Sequence, residues 1–255
     1  MKVLLVLLDG MRPDGMMNCS NKYVNELLSN SAYSLEAETV FPSVTLPCHF
    51  SLMHSVKPDR HGILTNTYVP QVRPIDGLFE QLHKFDKTTA FFHTWGELRD
   101  IAKPQSIDHI DYRNGSQFGY EQAQTELLNN AVKHIEKYEP DFVFYYNGMP
   151  DEIGHQKGWM SQDYLDAINI GFDWLKTLME SLPDDYVTIV IADHGGHDRV
   201  HGTTMKEDMT IPLIIHGKGI ENRVIEKASI LDIAPTVAKL VGINKNSDWE
   251  GNFLV

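Results

Sequence analysis

At 255 residues the chain can form one large α/β domain or two small ones, and its 42% hydrophobic and 22% charged content is ordinary for a globular protein. A formal net charge of −13 argues against a polyanion-binding surface, so no nucleic-acid partner is expected. Two cysteines, Cys19 and Cys48, are too few for a disulfide framework or a thiolate-rich zinc site, and no apolar stretch approaches membrane-spanning length.

Val3–Leu8 opens the chain as a buried strand. It is too short for the apolar region of a signal peptide and ends in an acid, so the expected compartment is the cytoplasm, with no membrane partner. Tyr23–Leu28 reads as a short helix and Leu78–Phe85 as another. Thr88–Phe92 is the next apolar run, followed by an irregular stretch, Gly96–Gly119, that reads as an insertion near the site. Within it, Asp108-His109-Ile110-Asp111 reads as a solvated loop. Glu121–Tyr138 places Leu127, Leu128, Ala131, Ile135 and Tyr138 on one helical face. Phe142–Tyr146 is a strand. Gln162–Leu182 carries Leu165, Ile168, Phe172, Leu175 and Met179 at helical spacing. Val187–Ala192 and Ile211–Ile215 complete the strands, and a last helix covers Leu231–Val241 and stops at Gly242. All five apolar runs are expected to be buried parallel strands. Phe91 and Phe92 are read as core, and Trp95 and Trp159 as residues at the rim. Strands alternating with helices predict a three-layer α/β/α sandwich around a mainly parallel, doubly wound sheet, with residues 1–255 as a single catalytic domain.

Carboxylates and imidazoles cluster just beyond three of these strands. Asp9 follows Val3–Leu8. Asp151 follows Phe142–Tyr146 by a short loop and is joined four residues later by His155, a spacing that turns both toward one ion on a helix. Asp193 follows Val187–Ala192 and leads into His194, with His197 and His201 close behind. In an open α/β sheet the carboxyl ends of the strands share one rim, so these residues converge there. Three Asp and three His make two metal sites, and the mixed ligand set suits zinc first and manganese second. Two divalent ions against three carboxylates leave a positive pocket for a phosphoryl group.

A nucleophile is still required. Phe41-Pro42-Ser43-Val44-Thr45-Leu46-Pro47-Cys48-His49 reads as a loop opening a helix, with Pro47 in its first turn. Ser43 or Thr45 would lie near the helix N-terminus, where the dipole favours an alkoxide. Either hydroxyl would serve equally well as a cap. Arg12 is read as pairing with Asp14, His61 as structural, and His49 and His54 as packed or solvated.

These segments resemble the alkaline phosphatase superfamily, most closely its nucleotide pyrophosphatase/phosphodiesterase branch. The matching pieces are Leu8-Asp9-Gly10-Met11-Arg12, Phe41-Pro42-Ser43 through Thr45-Leu46-Pro47-Cys48-His49, and His61-Gly62-Ile63-Leu64-Thr65-Asn66. Pro150-Asp151 through Gly154-His155, Ala192-Asp193-His194-Gly195 and His201-Gly202 follow in the family's order. The resemblance implies that Asp9, Thr45, Asp193 and His194 hold one metal, and that Asp151, His155 and His201 hold the other. It selects Thr45 as the nucleophile that forms a phosphothreonine, and Asn66 as the donor to a non-bridging oxygen. It also favours His201 over His197. Two departures concern the substrate. Leu46 stands where the family often has an aromatic residue, and Cys48 where it usually has Asn.

The expected function is therefore two-metal hydrolysis of a small phosphorylated substrate, a diester or pyrophosphate ahead of a monoester. The rivals are a phosphomonoesterase or phosphonate hydrolase of the same superfamily, a phosphosugar mutase-like transferase, and a non-catalytic metal-binding relative. The sequence does not specify an oligomeric state.

Overall fold

The computed structural model describes residues Met1–Val255. Eight strands form one sheet: β1 Lys2–Leu8, β2 Ala32–Glu38, β3 Thr89–His93, β4 His109–Tyr112, β5 Phe142–Asn147, β6 Tyr186–Ile191, β7 Thr210–Gly217 and β8 Arg223–Val224, in the order β4-β3-β5-β1-β6-β7-β2-β8. The centre of the sheet comes from the most apolar runs. Every residue of β5 and β6 is buried, as is all of β1 after Lys2, because helices cover both faces.

The two helical layers are distinct. Helices Tyr120–Tyr138 and Gln162–Glu180 pack together on one side, with Pro13–Asn18 and Lys22–Ser29 against the second of them. Helices Thr45–His54, Leu78–Lys84 and Ile233–Leu240 pack together on the other. Both layers touch β1, which fixes the three-layer α/β/α arrangement. Helix Gln162–Glu180 buries Tyr164, Ile168, Gly171, Phe172, Leu175 and Leu178, a stripe three and four residues apart, and Ser161 caps its start by accepting from the Tyr164 amide. No helix is long and apolar enough to cross a membrane.

Three expectations differ from what is found. Ile211–Ile215 lies within β7, which runs antiparallel to both neighbours, β6 and β2. Burial fixes that such a run is interior but not its direction. Ala32–Glu38 forms β2, unanticipated because Ser34, Glu36 and Glu38 break its apolar character. Asp108–Asp111 is largely strand, since His109–Tyr112 pairs in parallel with β3 as the sheet's edge and is only half-buried.

The core is built around stacked aromatics. Phe144 on β5 lies parallel to Phe91 on β3, with ring centroids 4.9 Å apart, and both are fully buried. A Phe144→Ala substitution empties this position and is expected to cost about 3–5 kcal/mol of unfolding free energy, measured by urea denaturation. A loss below about 1 kcal/mol would contradict this packing.

Candidate metal centre

The carboxyl ends of β1, β5 and β6 bring the predicted ligands together. Asp9 is the first residue after β1. Helix Met149–Lys157 begins just past β5 and presents Asp151 and His155 one turn apart. Asp193 and His194 are the second and third residues after β6. Two glycines make the approach feasible. Gly10 has φ of +68° and brings the backbone to within 3.0 Å of Asp151 Oδ1, measured from where a Cβ would sit. A Cβ on Gly196 would lie 2.2 Å from the Trp159 ring. Trp159 is therefore wedged inside rather than at the rim, and its indole N–H donates to the Gly10 carbonyl at 2.9 Å.

The ligand atoms form two groups that share Asp151. One contains Asp151, His155 and His201, and the other Asp9, Asp151 and His194, with all donor atoms in each group within 4.8 Å of one another. Asp151 lies 3.4 Å from His155 Nε2 and 3.7 Å from His201 Nε2. His194 Nε2 is 3.4 Å from Asp9 Oδ1, 3.3 Å from Asp193 Oδ2 and 3.1 Å from Thr45 Oγ1. Thr45 is the first residue of its helix, is buried, and makes no capping bond. Ser43 instead donates its hydroxyl to the Thr203 carbonyl at 2.8 Å.

Each imidazole is oriented by a backbone carbonyl. Nδ1 of His155, His194 and His201 faces the carbonyls of Arg199, Gly195 and Ser43 at 2.9, 2.8 and 2.8 Å. A carbonyl only accepts, so Nδ1 carries the proton and Nε2 turns a lone pair toward the carboxylates. Asp9 Oδ1, Asp151 Oδ1 and Asp193 Oδ2 are buried without any hydrogen-bond partner. Electron-rich atoms thus converge with little to separate them, which is the donor set a divalent cation requires.

His197 is absent from both groups because its Nδ1 pairs with Asp208 Oδ1 at 2.7 Å. Arg12 pairs with Asp14 at 2.5 Å and also donates to the Gly196 carbonyl. His61 bonds Ser51 and the Ile63 amide within the protein, and His54 is buried. Asn66 is exposed. Its side-chain carbonyl accepts from the Leu46 N–H at 2.9 Å, which leaves its NH2 as the donor. Three supporting residues were not anticipated from sequence. Tyr146 donates its hydroxyl to Asp9 Oδ2, Thr39 donates to the Asp193 carbonyl, and His49 Nδ1 approaches Asp193 Oδ2 to 3.5 Å. A polar-tipped Tyr at the carboxyl end of an apolar strand was the available signal for Tyr146.

A family model described as the metalloenzyme superfamily matches residues 80–245. This chain belongs to the metalloenzyme superfamily. A second model, type I phosphodiesterase / nucleotide pyrophosphatase, matches residues 3–97, and together they locate the chain in the phosphodiesterase-like branch of the alkaline phosphatase superfamily. A 2,3-bisphosphoglycerate-independent phosphoglycerate mutase of Flavobacterium psychrophilum is 33% identical over 69% of this chain and 35% of its own length. Ectonucleotide pyrophosphatase/phosphodiesterase family member 3 of Rattus norvegicus is 24% identical over 76% of this chain and 24% of its own length. The chain thus spans about a third of the mutase and a quarter of the rat protein. Human ectonucleotide pyrophosphatase / phosphodiesterase 5 shares the fold with a TM-score of 0.81 at 15% identity, over 99% of this chain and 97% of that one. A 2-O GAG sulfatase shares it with a TM-score of 0.78 at 14% identity, over 99% and 73%.

Burial and mutual repulsion oppose ionisation of the site. Burial, then the nearby Asp193, pushes the Asp9 carboxyl well above its ordinary range. Asp151, 17% exposed by its side chain, moves the same way through burial and then Asp9. Burial raises Asp193 to about 7. Burial, then His194, lowers His201 to about 3, so its ring stays neutral. For Asp193 the folded metal-free protein holds a proton that the unfolded chain lacks between its ordinary value of 3.8 and about 7. That contribution to stability falls as pH rises through this window, and below about pH 7 an entering cation must displace the proton. The rise in melting temperature on adding zinc or manganese is therefore expected to be larger at pH 8 than at pH 6, by differential scanning fluorimetry. An equal or reversed gain would contradict the protonated-carboxylate picture.

Proposed function

We propose that this chain is a two-metal phosphoester hydrolase, acting on a diester or pyrophosphate bond of a small substrate through a phosphothreonine at Thr45. The observation that carries this reading is the Thr45 hydroxyl, buried at a helix N-terminus and 3.1 Å from His194 Nε2, beside carboxylate oxygens that lack partners. Asp9, Thr45, Asp193 and His194 would hold one divalent ion, and Asp151, His155 and His201 the other, with zinc ahead of manganese for mixed imidazole and carboxylate ligands. When bound, the ions supply positive charge that lowers the hydroxyl pKa and offsets charge on the phosphoryl and leaving oxygens.

The chain's own groups supply the rest. Burial of Thr45 limits competing water, and the helix N-terminus favours its alkoxide. The Thr45 O–P bond forms as the bond to the leaving oxygen breaks, and water then attacks phosphorus to free the threonine. The Asn66 NH2 donates to a non-bridging oxygen and is held for that task by its bond to the Leu46 N–H. Arg12 is committed to Asp14 and the Gly196 carbonyl, which agrees with the lower charge of a diester.

A mutase-like transferase is favoured by the 33% identity to the phosphoglycerate mutase. Such enzymes carry a large cap between the nucleophile and the later ligands. Here the interval from Asn66 to Asp151 contributes β3, β4, β5 and helix Tyr120–Tyr138 to the sandwich itself, which supports hydrolysis over transfer.

With zinc or manganese, turnover of bis-p-nitrophenyl phosphate is expected to exceed that of p-nitrophenyl phosphate. Thr45→Ala is expected to abolish diester turnover, and Asn66→Ala to lower kcat/KM by about 100-fold. Undiminished diester cleavage by Thr45→Ala would remove Thr45 as nucleophile, and a monoester preference would reverse the substrate assignment.

A further inference from the structure

Asp208 is fully buried, and no Lys or Arg pairs with it. It lies in the short helix Lys206–Met209 that leads into β7, outside both groups of metal ligands. Three donors from the loop that carries His194 and His201 converge on its carboxylate. Oδ1 accepts from His197 Nδ1 at 2.7 Å, and Oδ2 accepts from the Thr203 N–H at 2.9 Å and the Thr203 hydroxyl at 2.8 Å. The backbone adds two more ties. The Asp208 carbonyl accepts from the Gly195 N–H, and the Glu207 carbonyl from the Gly196 N–H, both at 2.9 Å. A Cβ on Gly195 would collide with the Glu207 carbonyl, so the loop lies against this helix as closely as a glycine allows. The anchors at 195, 197 and 203 fall directly after His194 and on both sides of His201.

The bonds continue to the nucleophile loop. The Thr203 carbonyl accepts from the Ser43 hydroxyl at 2.8 Å, and the Ser43 carbonyl holds His201 Nδ1 at 2.8 Å. A buried carboxylate is costly unless donors satisfy it, and all three side-chain bonds of this one go to the ligand loop. We propose that Asp208 is a positioning residue of the metal centre: it clamps loop 194–203 so that His194 and His201 are held at their sites. This inference rests on the two-metal reading but not on the reaction assigned to it. His194 belongs to one ion and His201 to the other, so loosening the clamp weakens both together. Groups that orient ligands from outside change metal affinity by about 10–100-fold when removed.

Metal-free proteins would be titrated with zinc chloride by calorimetry, at a temperature where each is folded, and unfolded in urea. Asp208→Ala removes the clamp. Both zinc equivalents are expected to remain but to bind about 10–100-fold more weakly, alongside lower metal-free stability. Packing alone would lower stability and leave the affinity of the folded protein unchanged. Asp208→Asn keeps an acceptor for Thr203 and turns its NH2 toward His197, whose neutral ring accepts there as the other tautomer. Its zinc affinity is expected to stay near the parental value. Thr203→Val cuts one tie beside His201, and is expected to weaken zinc binding by a smaller factor even if Asp208→Ala does not fold. Parental affinity in Asp208→Ala, or in Thr203→Val, would overturn the clamp, as would an Asn variant as weak as the Ala variant. Loss of one whole zinc equivalent in Asp208→Ala would make Asp208 a ligand and overturn it too. A parent protein that binds no zinc would overturn the two-metal reading itself.

Discussion

Asp9, Asp151 and Asp193 each keep one buried carboxylate oxygen free of any donor, and all three lie beside imidazole nitrogens that present lone pairs. A protein interior does not tolerate such a cluster cheaply, because burial favours neutral groups and like charges repel. Without a metal the site meets that constraint by holding protons, and bound cations would meet it in their place. On the proposed function, proton occupancy, metal occupancy and the reactivity of Thr45 would be linked, since they would draw on the same few atoms.

The surrounding structure serves to keep those atoms close despite their repulsion. Tyr164 and Trp159 both donate to the Gly10 carbonyl, at 2.8 and 2.9 Å, and so pin the turn that carries Asp9. Trp159 in turn lies against Gly196, just past the Asp193-His194 pair, so one indole braces the segments after β1 and β6. Thr39 fixes the Asp193 backbone, and three carbonyls fix the three imidazole tautomers. The rigidity lies in ordinary backbone hydrogen bonds. Three of the six unsatisfied buried side-chain atoms lie where a cation would act.

Much of this was legible in the chain. Strands β1, β3, β5 and β6 announce themselves as short apolar runs, and the acids and histidines directly after three of them point to one rim. The direction of β7 was not legible, since a doubly buried strand has the same composition in either direction. β2 and β4 were hidden by interleaved polar residues, Ser34, Glu36 and Glu38 in one and His109 and Asp111 in the other, and no residue of β4 is fully buried. At the site, sequence left His197 and His201 in competition within one short loop. The Asp208 carboxylate, remote in the motif but close in space, engages His197. Tyr146 closes an otherwise apolar run, and its hydroxyl at the carboxyl end of that run was the one local hint that it meets Asp9.

The proposed chemistry requires two ions sharing this rim. Anomalous diffraction from crystals grown with zinc or manganese tests it most directly. Two peaks are predicted per chain, one against Asp9, Asp193, His194 and Thr45, the other against Asp151, His155 and His201. A single peak, or a metal held by His197 and Asp208 instead, would contradict it.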